Sequence, residues 1–95
     1  MATELLAPAL TEIDSATVTL ADGVRANLFL TGPAAQAGSM TGSVLVQFQN
    51  SGSGWTTVFW MDNGHRTARV DGPVTFRVRR PLRDERSLAL GVDRA

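Results

Sequence analysis

A lone histidine, a few turn aspartates, an arginine cluster and a set of aromatic residues are the side chains through which this chain could act. His65 is its only histidine. As a general base it would need a nucleophile and an orienting acid, which meet in space rather than in sequence. No nucleophile motif lies beside it, and the turn signal Asn63-Gly64 just before it predicts a solvated position. Asp22, Asp62 and Asp71 each precede Gly or Asn-Gly. Paired carboxylates could run glycoside hydrolysis, and clustered ones could hold calcium. At turn positions a carboxylate instead bonds nearby backbone and tolerates unusual φ. The ligand spacing of an EF-hand, a phosphate-cradling loop and a dinucleotide fingerprint are all absent. The expectation is a protein that is not an enzyme and uses no metal and no cofactor.

Binding residues are easier to find. Arg77, Arg79, Arg80, Arg83 and Arg86 crowd into a short stretch with Asp84 and Glu85 among them. A guanidinium stripe suits an acidic protein surface or a phosphate backbone, and on a solvated strand it makes local ion pairs worth at most about 1 kcal/mol each. Trp55, Phe59 and Trp60, with Phe29 on an outward parity, form the second set. Aromatic side chains on a β-face stack on sugar rings or anchor a protein interface, although a small domain keeps one or two for its core. The candidate interface residues are therefore Leu5, Leu6, Leu10, Phe29, Trp55, Trp60, Arg77, Arg79 and Arg80.

These side chains need a scaffold, and 95 residues limit it to one domain with one core. A hydrophobic fraction of 43 % and a charged fraction of 19 % are those of a folding chain. Nine acidic and nine basic residues leave no net charge, so no global field draws the protein to nucleic acid or an anionic membrane. All the basic residues are arginine and there is no tyrosine, a bias that a GC-rich genome also produces. Without cysteine, stability must come from packing or oligomerisation. Met1 to Leu10 lacks the charged start and long apolar run of a leader, and no segment approaches the roughly 18 apolar residues of a membrane span. The protein is expected in the cytoplasm or in a particle assembled there.

After residue 15 the hydrophobic pattern has period two, broken at intervals by turn chemistry. Ala16, Val18 and Leu20 would share a face, followed after Ala21-Asp22-Gly23 by Val24, Ala26, Leu28 and Leu30. Asp-Gly between two such runs predicts a hairpin. Residues 31–42, rich in Gly, Ala, Ser and Thr, predict a long loop. Val44, Val46 and Phe48 come next, then the Asn50 to Gly54 turn, then a segment from Trp55 to Asp62 that is apolar on both parities and has no assignable register. Ala68 and Val70 would point inward, Asp71-Gly72-Pro73 turns the chain, and Val74, Phe76 and Val78 alternate with outward Thr75, Arg77 and Arg79. Pro81 stops that strand, and Leu88, Leu90 and Val92 form a last inward face. About seven short strands predict an all-β fold, a small antiparallel β-sandwich that is Ig-like or jelly-roll-like. Residues 15–95 would be the sandwich, and residues 1–14 an N-terminal arm or edge strand.

Trp55-Thr56-Thr57-Val58 after a Gly-Ser turn, Asp71-Gly72-Pro73-Val74-Thr75-Phe76-Arg77-Val78-Arg79-Arg80-Pro81, and Gly91-Val92-Asp93 together resemble small virion proteins of tailed bacteriophages over residues 42–94. The resemblance implies a capsid decoration, cement or other accessory protein, acting as a homo-oligomer on the virion with a major capsid or other virion protein as partner, and engaging neither nucleic acid nor membrane. It carries over no catalytic residue. On this reading the N-terminal arm supplies contacts by strand addition, so deleting residues 1–14 is expected to abolish assembly and to leave a β-type circular dichroism spectrum. The competing class is a fibronectin-like or carbohydrate-binding sandwich with Trp55 and Trp60 as a sugar platform.

Overall fold

The alternation resolves into nine strands in a computed structural model, which describes residues 3–9, 12–31, 43–62, 64–81 and 90–95. They are β1 (Thr3–Ala9), β2 (Ile13–Asp14), β3 (Val18–Leu20), β4 (Arg25–Thr31), β5 (Val44–Gln49), β6 (Trp55–Met61), β7 (Thr67–Asp71), β8 (Val74–Arg80) and β9 (Leu90–Arg94). Every pairing is antiparallel. Sheet I runs β1-β9-β4-β7, and sheet II runs β2-β8-β5-β6 with β3 also on β8. Among the described residues no helix is long and apolar enough to cross a membrane.

β2 and β3 are one strand interrupted. Both lie along β8, and between them buried Ser15 continues the ladder: its N–H donates to the Val78 carbonyl at 2.8 Å, and its Oγ accepts from the Val78 N–H at 3.0 Å. Counted so, eight strands pair as a single folded ribbon. β5 with β6 is its hairpin end, followed outward by β4 with β7, β2–β3 with β8, and β1 with β9. Winding this ribbon into two four-strand layers yields the strand order of a jelly roll. The sandwich is therefore jelly-roll-like, since the Ig order joins different neighbours.

The winding explains why the Asp22-Gly23 signal is half right. The turn exists, with the Val24 N–H on the Ala21 carbonyl at 3.1 Å and Gly23 at φ 79°. Yet β3 lies in sheet II and β4 in sheet I, so the connection is a corner rather than a hairpin. The Asp71-Gly72-Pro73 turn carries β7 into β8 at the same place, and the Gly72 N–H bonds the Val24 carbonyl at 2.8 Å. Both chains of the ribbon change sheets side by side. Because the corner turns the chain outward, Val24 is exposed; Ala16, between β2 and β3, is exposed as well.

One core fills the space between the layers. Leu6, Leu20, Leu28, Leu30, Val44, Val46, Met61, Val70, Phe76, Val78, Leu90 and Val92 are buried together, with Phe48 and Val74 packed on them. Each fully buried aliphatic or aromatic side chain contributes roughly 1.5–3 kcal/mol. Leu6, expected at an interface, is thus a core residue, because β1 closes sheet I against β9. Residues 3–9 and 13–14 form edge strands of the same molecule, and deleting residues 1–14 would strip both sheets and the core rather than free an arm. The long loop predicted at 31–42 begins at Thr31, the last residue of β4, and otherwise lies outside the described residues, as do Leu10 and the charged stretch from Leu82 to Arg86 with Leu88.

Candidate interaction surface

Cross-strand register sets which side chains share the outer face of sheet II. Asp14 stands opposite Arg79, Arg79 opposite Leu45, and Leu45 opposite Trp60; beside this row Arg77, Gln47 and Thr57 form a second. The arginines of that face are already engaged. Arg79 bonds Asp14 at 2.8 Å and Glu12 at 2.9 Å. Arg77 donates through Nε to Gln47 at 2.9 Å and pairs with Asp14 at 3.4 Å. Its guanidinium lies 4.3 Å over the Trp55 ring. Gln47 passes the chain on to the Thr57 hydroxyl at 3.1 Å. Asp14's hydrogen bond and charge, with Glu12 behind it, raise the Arg79 pKa above its ordinary value. The arginines of this strand face make local ion pairs, a neutralised network whose acids come from β2 and the residue before it.

Arg80 differs in kind. It alternates inward, is 3 % exposed, and donates through Nη1 to the carbonyls of Ala7 at 2.7 Å and Leu90 at 2.8 Å. Burial lowers its pKa from the ordinary value. Expected at an interface, Arg80 is instead an internal tie between β1, β8 and β9. Two adjacent arginines on a strand must face opposite sides, so Arg79 outside places Arg80 inside.

The aromatic set divides as well. Trp55 is half-buried under Arg77, whereas Trp60 is 57 % exposed. Phe29 is exposed on the outer face of sheet I, opposite Thr67 and Asp93. Leu5 is half-buried on β1. Two residues missing from the candidate interface, Val58 and Phe59, join Trp60 as exposed apolar side chains of β6. The β5–β6 register slips between Val46 and Gln47: Val46 faces Phe59, but Gln47 faces Thr57, leaving Val58 as the extra residue of a bulge. That insertion breaks period two and explains why the segment is apolar on both parities.

β6 ends sheet II and β7 ends sheet I, and both edges flank one open side of the sandwich. A slot of about 240 Å³ enters between them, walled by Val46, Phe48, Val58, Phe59 and Val70. An adjoining shelf of about 460 Å³ spreads over Asn27, Phe29 and Thr67. Phe59, Ala68 and Arg69 border both. Arg69 is exposed and pairs through Nε with Asp71 at 3.3 Å, while Arg25 takes the other oxygen of Asp71 at 2.9 Å. One carboxylate between two guanidinium groups leaves a local excess of positive charge.

His65 is exposed on the β6–β7 turn, its Nδ1 3.5 Å from Asp62 and its ring edge-on to Phe59 at 6.0 Å. Asp62 also accepts the backbone N–H groups of Gly64 and His65, the turn role predicted for it. Among the described residues no cluster of three or more His, Asp or Glu could hold a metal ion. No family model, no curated protein and no solved structure matches this chain.

Proposed function

We propose that this chain is an assembly protein that docks on other proteins through the β6 side of its sandwich. The observation that carries this reading is that, of the six exposed large apolar residues among the described residues, Phe29, Val58 and Phe59 gather around one open seam, with Trp60 next along β6 on the outer face of sheet II. Contiguous exposed apolar surface marks interaction sites, and aromatic anchors carry most of the energy of an interface. The bulge at Val58 disrupts the regular edge that strand addition requires, so the contact runs through side chains.

The setting we propose is a tailed-phage particle, with the protein as a decoration, cement or accessory component bound to the major capsid or another virion protein and to copies of itself. The resemblance of residues 42–94 supports that setting. A jelly roll is at home in capsid and lectin domains alike, so the fold alone does not choose between them. The sugar-platform reading has less support, because Arg77 already covers the ring of Trp55.

Light scattering after size-exclusion chromatography across a concentration series tests the self-association part. The native chain is expected to form a defined oligomer, and Trp60→Ser a monomer with an unchanged circular dichroism spectrum. A native chain that stays monomeric and does not co-sediment with phage capsids would overturn the reading.

A further inference from the structure

We propose that the β6–β7 seam binds a medium-chain alkyl carboxylate, with the alkyl chain in the slot and the carboxylate on Arg69. This inference shares the seam residues Val58 and Phe59 with the assembly reading but assigns the slot between them a small-molecule occupant. The slot walls are carbon: Val46, Phe48, Val58, Phe59 and Val70. At roughly 30 Å³ per non-hydrogen atom, the share a water takes in the liquid, its 240 Å³ accepts about eight carbon atoms. The polarity changes at the mouth. There Arg69 borders slot and shelf, and Asn27 and Thr67 lie beyond it on the shelf.

Charge selects the head group. Among the described residues Arg69 engages only Asp71, through Nε, and Asp71 is shared with Arg25. The two terminal nitrogens of Arg69 are therefore available in the planar fork that suits a carboxylate. An alkylammonium would meet the excess positive charge instead. Phe59 stands between slot and shelf and lines both.

The test is a titration of the full chain with sodium octanoate below its micelle concentration, followed by amide chemical shifts, with octylammonium and octanol as comparison probes. Saturable shifts confined to β6, β7 and the seam-lining residues of β4 and β5 are expected, with octanoate binding about tenfold more tightly than octylammonium. Ala68→Leu, which fills the border of slot and shelf, should weaken octanoate at least fivefold. Arg69→Gln, at an exposed position, should remove the preference for octanoate over octanol while octanol still binds. Absent saturation, equal binding of octylammonium, or shifts elsewhere in the sandwich would each overturn the proposal. So would seam shifts that appear with protein concentration alone, because a second copy would then be the occupant; loss of self-association with octanoate still bound would instead sink only the assembly reading.

Discussion

Gly72→Ala tests the corner at which both chains of the ribbon change sheets. A Cβ on Gly72 would overlap the carbonyl oxygen of Ala21 and lie 2.9 Å from both the Ala21 carbonyl carbon and the Leu20 oxygen. All three are backbone atoms, which cannot swing aside as a side chain can. Relieving the overlap moves β7–β8 away from β3–β4, and overpacking of this kind costs roughly 1–3 kcal/mol. The same movement stretches the 2.8 Å bond from the Gly72 N–H to the Val24 carbonyl, worth about 1 kcal/mol more. The expected loss is about 2–4 kcal/mol. For a domain of this size that lowers Tm by roughly 10–30 °C. Gly23→Ala is the control. Gly23 sits at φ 79° with nothing within 4 Å of its added Cβ, so it has strain but no overlap. That substitution should cost about 1 kcal/mol. Urea unfolding followed by tryptophan fluorescence reads both variants, with equal m-values required for comparison. A Gly72→Ala chain within about 0.5 kcal/mol of the native one, or more stable than Gly23→Ala, would refute the shared corner.

Other substitutions probe the surfaces. Arg80→Met leaves the buried carbonyl of Leu90, and the part-buried one of Ala7, without that donor; at about 1–3 kcal/mol for an unsatisfied buried group, urea midpoints should fall, whereas Arg25→Met on the surface should barely move them. Trp60→Phe should remove the red-shifted, iodide-quenchable part of the emission, since Trp60 is the more exposed tryptophan; a native-like quenching curve would contradict this placement. Arg77→Ala uncovers Trp55 and should raise iodide quenching in the Trp60→Phe background, at a stability cost of about 0.5–1 kcal/mol. Asp14→Asn removes an acid shared by Arg77 and Arg79; the loss should be about 1 kcal/mol and shrink in 1 M salt, because partly exposed ion pairs are screened.

The legible part of this protein is what local pattern specifies. Alternation in 44–48 and 74–78 located two central strands and their buried faces, because side chains in a strand point to opposite sides in turn. Asp22-Gly23, Asn50 to Gly54 and Asp71-Gly72 marked real turns; in the first two, backbone bonds close within a few residues. The all-β class followed from these alone.

Long-range pairing was decided elsewhere. Asp22-Gly23 and Asp71-Gly72 look alike along the chain, and only the contact between them makes one glycine sterically obligatory and leaves the other free in space. Trp55–Met61 has no readable register, because the bulge at Val58 is defined by the partner strand. The arginine cluster divides into a buried tie and a surface network because Asp14 and Glu12, more than sixty residues away, stand beside Arg79. The sequence by itself determined strands, turns and composition, each a property of neighbours along the chain. The tertiary structure decided which strands pair, which edges stay open and which charges meet. Those depend on closing long loops, whose entropy cost grows only slowly with their length, so no local signal distinguishes one partner from another.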